Sequence, residues 1–249
     1  MKRIIAKIDI KSGHVIKGIE FEGVRKVGKP IEFAVDYYKK NIDEIIYLDC
    51  VASLYNRNHI VDLLPEVAKN IFIPLTAGGG IRSVKDAKIL FDHGADKIVI
   101  NTSAVENPKI IGDIAKLYGS QAVVLQLDCK RRQQGWEVLT DYGREKTTLD
   151  ALDWASTACS MGAGEILATV IDNDGKKNGL DIEFYKRLEQ NVNVPIIASG
   201  GIGSVQNIIE LFEETSIDAI SISSIFHYSE TDPKKLKRKL SNKGYQIRG

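Results

Sequence analysis

At 249 residues the chain is long enough for one large α/β barrel or two ordinary domains, and either would bury a sizeable core. Its 34 basic against 33 acidic residues, with a sequence pI near 7.7, argue against a chain built as a whole to bind nucleic acid or a membrane surface. Cys50, Cys129 and Cys159 are far apart, odd in number and without C-x-x-C spacing, which speaks against a disulfide framework and a zinc site and fits a reducing cytoplasm.

In chain order, the opening MKRIIAKIDIK has a short apolar run cut by Lys7 and Asp9, so it reads as a strand rather than a signal peptide or a spanning helix. After it, short β-branched runs alternate with stretches of helical period. RIIAKID, EIIYLDC, IFIPLTA, DKIVINT, AVVLQLD, EILATVI, VPIIASG and DAISISS read as strands. PIEFAVDYYKK, SVKDAKILFDHG, NPKIIGDIAKLYG and SVQNIIELFEE read as amphipathic helices between them. The terminal KKLKRKLSNK reads as one more helix with a solvated basic face. No linker or low-complexity tract divides the chain, and βα alternation of this kind implies a parallel sheet with right-handed crossovers.

A repeat decides between an open sheet and a barrel. PLTAGGGIRSV from residue 74 returns as PIIASGGIGSV from residue 195, and Asp9 is matched by Asp128, Glu44 by Glu165 and Asp96 by Asp218. Two halves of four βα units each predict a single (β/α)8 TIM barrel over 1–249, with half-barrels of about 1–120 and 121–249. The repeat then becomes a two-fold axis, and matched residues face each other across the barrel mouth. AGGGIRS and SGGIGS each lie between a strand and a helix, where glycine allows close backbone approach and helix amides favour an anion. Asn101 to Ser103 and Ser223 to Ile225 add small donors on the same rim. Two phosphate sites, and a ligand with two similar ends, are the expectation. Strand alternation places Arg3, Ile5, Lys7 and Asp9 on one face of the first strand and Val124, Gln126 and Asp128 on one face of the fifth. Asp9 and Asp128 then form a candidate acid/base pair. Lys7 and Gln126 put polar groups into a layer that barrels fill with apolar ones. A buried Lys7 must lose its proton or find an anion, for which Asp9 above and Glu44 or Glu165 below are candidates. His14 and His227 are assigned no chemistry.

KIDIKSGHVIKGIEFEG, GGGIRSVKDAKILFDHGADKIVINTSAVENP, GSQAVVLQLDCKR, GAGEILATVIDNDGKKNGLD and IIASGGIGS together resemble the cyclase subunit of imidazole glycerol phosphate synthase, from histidine biosynthesis. VIKGIEF, NTSAVENP and SQAVV set the chain apart from the related isomerase acting one step earlier. The resemblance implies a lyase acting on phosphoribulosyl-formimino-AICAR phosphate, which carries a phosphate at each end and yields imidazole glycerol phosphate and AICAR. It implies a separate glutaminase subunit, forming a heterodimer at the N-terminal barrel face and sending ammonia through the barrel, with no metal or organic cofactor. By that resemblance Asp9 and Asp128 are catalytic, with Asp128 the acid toward the departing amine and Asp9 the base in ring closure. Gly80, Asn101 and Thr102 serve one phosphate, and Asp174, Gly175, Gly201, Ser223 and Ser224 the other. Thr169 also binds substrate and Lys17, in the loop after strand 1, closes over it. Arg3, Glu44, Lys97 and Glu165 gate the ammonia entrance, and Asp96 and Gln121 lie on the glutaminase-facing surface.

The chain departs from the family where CLD becomes KID, DxTAS becomes DCVAS with Val51 for threonine, and PTG becomes KTT. These changes leave two further readings. One is a paralogue that complexes with a glutaminase and delivers ammonia to another enzyme, as in amidino-sugar synthesis for surface glycans. The other is a different lyase or isomerase on diphosphorylated substrates.

Overall fold

The structure, a computed structural model, describes residues 1–52 and 60–248; Ser53 of the DCVAS segment lies outside the described residues. In chain order its strands are β1 (Arg3–Lys11), β2 (His14–Ile19), β3 (Glu22–Gly28), β4 (Glu44–Asp49), β5 (Leu75–Gly78), β6 (Lys97–Ile100), β7 (Val123–Arg131), β8 (Trp136–Thr140), β9 (Glu145–Asp150), β10 (Glu165–Val170), β11 (Ile196–Ser199) and β12 (Ala219–Ile222). Eight of them pair in parallel in the order β1, β4, β5, β6, β7, β10, β11, β12, and β12 returns to β1, so the sheet closes on itself as a (β/α)8 barrel. No helix among the described residues is long and apolar enough to cross a membrane.

Helices cover the barrel because each carries an apolar stripe: Ile110, Ile111 and Ile114 on Lys109–Tyr118, and Ile208, Leu211 and Phe212 on Val205–Glu214, face the outward residues of the strands. The repeated Ser-Val has a structural meaning. Ser83 caps the helix Val84–Asp92 by accepting from the Asp86 amide, and Ser204 caps Val205–Glu214 in a reciprocal arrangement with Asn207. Seven strands start or end inside their sequence-based bounds, and proline explains two of them. Pro74 and Pro195 have no N–H for the ladder, so β5 and β11 begin after them, although both carbonyls still accept from the neighbouring strand. The basic tail forms the helix Pro233–Ser241, but its face is not wholly solvated. Lys237 is buried, and its ammonium donates to Asp43 at 2.5 Å and to the Arg248 carbonyl.

Two antiparallel hairpins, β2–β3 after β1 and β8–β9 after β7, went unread in the sequence. The turn between β2 and β3 consists of Glu20 and Phe21, both with positive φ, and the next hairpin turns through Asp141 and Tyr142, also both positive. Such turns ordinarily announce themselves by Asn-Gly or Asp-Gly, and here none of the four residues is glycine. The hairpins occupy equivalent places in the repeat: Phe21 and Tyr142 are 121 positions apart, and their rings stack at 4.3 Å over the barrel mouth.

Candidate active site

Inside the barrel the side chains form three layers. The middle one is apolar, with Ile5, Ile46, Leu48, Val99, Val124, Leu167, Ile197 and Ala219 packed together. Below it, at the N-terminal ends of the strands, charges alternate around a ring. Arg3 donates to Glu44 and Glu165 at 2.9 Å each, and Lys97 lies 2.6 Å from Glu165 and 3.5 Å from Glu44. Arg248 adds a contact to Glu44 at 3.6 Å that the sequence did not suggest. Asp96 and Gln121 stand exposed on the same end of the barrel. Their side chains make local bonds, Asp96 accepting from the Leu75 amide and Gln121 donating to the Tyr118 carbonyl.

Above the apolar layer the lumen is polar. Asp9 and Asp128 end corresponding stretches of β1 and β7, both fully buried. Lys7 lies one pleat below Asp9, with its ammonium 3.8 Å from the carboxylate. Glu44 and Glu165, the other anions within the sequence expectation, are bonded to Arg3 and Lys97 instead. Burial works against the Lys7 ammonium, yet Asp9, Asp174 and Asp128 together outweigh it and hold its pKa above the ordinary lysine value. Burial pushes the Asp128 carboxyl up to about 7, against the lowering influence of Lys7 and of the Gln126 amide, which donates to it at 2.5 Å. Asn101 donates to the same oxygen at 3.2 Å and to the Leu139 carbonyl. Thr169, level with Asp128 in the ladder, and Ser221 have buried hydroxyls with no partner among the described residues. Lys7 Nζ, Asp9 Oδ1 and Asp128 Oδ1 also lack hydrogen-bond partners among the described residues. So many orphaned groups in one place is costly for folding alone and is what a site for a polar ligand looks like.

Two cradles flank these carboxylates. The first is a cavity of about 340 Å³ lined by Gly79, Gly80, Asn101, Thr102 and Ser103 together with Cys50 and Tyr142. The second, opposite and smaller at about 20 Å³, is lined by Asp174, Gly175, Gly201, Ser221, Ser223 and Ser224. Glycine is required in the second: Gly201 has φ +93° and a Cβ there would stand 2.0 Å from the Gly179 carbonyl, while Gly175, φ +77°, would meet the Gly18 carbonyl at 2.5 Å. Glycine amides and small hydroxyls line the second, and the first adds Arg82 and the carboxylates of Glu106 and Asp141 to the same kinds of donor, which suit phosphate oxygens.

The hairpins close this mouth. Lys17 lies on β2 rather than on an open loop, and its buried ammonium bonds Asp174 at 2.5 Å. Glu20 donates its amide to the Asp174 carbonyl and pairs with Lys176. From the other hairpin, Asp141 and Thr102 bond each other, and the Tyr142 hydroxyl reaches Asp9 at 3.3 Å and contacts the Cys50 thiol. Phe21, Asp141 and Tyr142 were not singled out from sequence. The repeat offset that pairs residue 21 with 142 was the available signal. His227 is buried and bonded to Tyr37 at 2.7 Å, its pKa pushed down to about 3 by burial and by Lys17 and Lys7; His14 sits outside the site on the Ser12 carbonyl. Among the described residues no cluster of His, Cys, Asp and Glu side chains is arranged to hold a metal ion.

Fold and mouth together define a (β/α)8-barrel protein of the type used in histidine biosynthesis, and the family described as histidine biosynthesis protein matches residues 3–232. Relatives named imidazole glycerol phosphate synthase subunit HisF share 46% identity in Alkaliphilus metalliredigens and 45% in Bacillus cereus, each over 99% of this chain and 98% of the relative. One from Legionella pneumophila shares 51% over 82% of this chain and 97% of its own. The chain belongs to the HisF family of imidazole glycerol phosphate synthase subunits.

Proposed function

We propose that the chain is the cyclase subunit of imidazole glycerol phosphate synthase, a lyase that uses ammonia to convert phosphoribulosyl-formimino-AICAR phosphate into imidazole glycerol phosphate and AICAR. The observation that carries this reading is one mouth holding two carboxylates between two anion cradles, on a chain of the HisF family. The repeat, read as half-barrels of about 1–120 and 121–249, fits a substrate with a phosphate at each end. Gly80, Asn101 and Thr102 hold one phosphate, and Gly175, Gly201, Ser223 and Ser224 the other. Asp174 orients Lys17 toward the substrate, and Thr169 donates its free hydroxyl. Ammonia condenses with the substrate's ketone, whose oxygen leaves as water, and as the new nitrogen closes the ring the bond to the AICAR nitrogen breaks, with Asp128 supplying the proton that the departing amine takes up. Asp9 removes the proton that ring closure releases.

The ammonia source in this reading is a glutaminase subunit, seated in a heterodimer on the end of the barrel that carries Arg3, Glu44, Asp96, Lys97, Gln121 and Glu165. The apolar layer above that ring suits neutral ammonia better than a charged species. The reading places the complex in the cytoplasm and calls for no cofactor, nucleic acid or membrane. The relatives' shared name favours the cyclase over the ammonia-delivering paralogue.

The test is turnover of the diphosphorylated substrate with ammonium salts, read as AICAR release. Wild type is expected to turn over, and Asp9→Asn and Asp128→Asn each to lose about 10²–10⁴-fold in rate with substrate affinity within about an order of magnitude. Near-normal turnover in both variants removes the carboxylates from the mechanism.

A further inference from the structure

Two-fold symmetry poses a chemical problem. Acid/base catalysis by Asp9 and Asp128 needs one carboxylate ionised and the other protonated, yet a repeat gives equivalent residues equivalent surroundings. Whatever separates their proton states must lie in positions that the repeat does not repeat. Around the mouth these include Asn101 against Ser223, Leu48 against Thr169 and Cys50 against Ile171, and two others stand closest to Asp9. Lys7 faces Gln126 as its repeat mate, and Phe21 faces Tyr142.

Both differences place their stronger donor nearer Asp9. Lys7 brings a full positive charge to 3.8 Å from Asp9 Oδ1, and Tyr142 crosses the axis to place its hydroxyl 3.3 Å from Asp9 Oδ2. Asp128 receives two neutral amide donors on one oxygen, from Gln126 at 2.5 Å and Asn101 at 3.2 Å. Phe21 has no hydroxyl to send to Asp128. It stacks on Tyr142 with planes 10° apart, which fixes the tyrosine ring, and its own ring lies 5.3 Å from the Lys7 ammonium.

From this geometry we infer that Lys7 and Tyr142 are positioning residues that break the symmetry of the mouth, holding Asp9 as the ionised base and leaving Asp128 as the carboxyl that carries the proton. The words base and acid rest on the cyclase reading; the unequal proton states do not. The titratable groups facing the pair agree with the assignment. Lys7 faces both aspartates, Asp174 is tied to Lys17, the Cys50 thiol is kept protonated by burial, and His227 is kept neutral with its pKa pushed down to about 3. The raised value of about 7 for Asp128 follows from burial without a dedicated cation.

Three substitutions give three different signatures. Tyr142→Phe keeps the stack on Phe21 and removes one donor from Asp9, so only the acidic limb of the pH–rate profile moves upward. Gln126→Leu removes a donor from ionised Asp128, so only the alkaline limb moves upward. Lys7→Met withdraws the charge that both carboxylates feel, and both limbs move upward, by about 1–3 pH units for a charge at this distance. A group that only supported the fold would lower the rate without moving either limb. Carboxyl ¹³C shifts of aspartate-labelled protein, followed with pH, read the same ionisations without turnover. Assigned by their loss in Asp9→Asn and Asp128→Asn, the two wild-type signals should titrate apart, that of Asp128 near 7, about as its environment sets it. Unequal titration in a protein with no cyclisation would sustain the inference and remove the cyclase reading. Equal titration of the two aspartates, or unmoved ionisation in folded Tyr142→Phe and Lys7→Met, would overturn it.

Discussion

Replacing Arg3 by methionine tests the charge ring at its most connected point. Glu44 and Glu165 are buried, at 3% and 4% exposure, and each has Arg3 at 2.9 Å. Without Arg3, Glu165 keeps Lys97 at 2.6 Å, but Glu44 keeps only Lys97 at 3.5 Å and Arg248 at 3.6 Å, so it loses its closest cation. Removing one partner of a buried pair costs about 3–5 kcal/mol, and the remaining cations put this case near the lower end, at about 3 kcal/mol. For a chain of this size that corresponds to a fall in Tm of about 6–12 °C. Urea unfolding at neutral pH would show it as a lower midpoint with an unchanged slope. Adding Glu44→Gln to the Arg3→Met variant should recover about 1 kcal/mol or more, because the uncompensated charge then disappears. A loss below about 1 kcal/mol, or a second substitution that destabilises further, would refute the account of the ring as a buried, mutually dependent network.

Asp128 makes stability depend on pH in a defined direction. Its folded value of about 7 lies above the roughly 4 of an unfolded aspartate, so the folded state holds the proton more tightly and loses that advantage as pH rises from about 4 through 7. Asp128→Asn cannot ionise and should melt above wild type at pH 8, with the gap closing toward pH 4; a gap independent of pH would count against the buried, protonatable carboxyl. Thr102→Asp and Ser224→Asp each place a carboxylate in one of the cradles, and each should raise the substrate KM by an order of magnitude or more through repulsion of phosphate. An unchanged KM in either variant would mean that its cradle holds no phosphate.

The barrel was legible because its evidence is redundant. Eight apolar runs, helical stretches between them and a near-constant offset between halves all point to one closure, and small boundary errors at Pro74 and Pro195 do not disturb it. The pairing of the carboxylates was legible through the repeat, and strand alternation put Arg3, Lys7 and Asp9 on one face of β1. The hairpins were not. Glu20, Phe21 and Tyr142 adopt left-handed conformations that their side chains do not favour, and although Asp141 and Gly143 suit a turn, no Asn-Gly or Asp-Gly pair marks either hairpin. Lys7 shows an intermediate case: its need for an anion followed from burial, but the choice of Asp9 over the glutamates depended on Arg3 and Lys97 having taken those, which is a property of the assembled ring.

The closing seam of the barrel has a consequence in time. β1 and β12 pair directly, and the Ser223 hydroxyl donates to the Lys7 carbonyl across 216 positions of chain, so the strand that carries Lys7 and Asp9 stays unpaired on that side until the last strand arrives. Loop closure over such a span is entropically slow, and parallel pairing cannot begin locally. During synthesis, the earliest residues to emerge therefore wait for nearly the latest, and Lys7 enters the field of Asp174 and Asp128 only when the cylinder is whole. A chain truncated before β12 would have both aspartates in its sequence and an open edge beside one of them, exposing backbone donors and acceptors to other partially made copies.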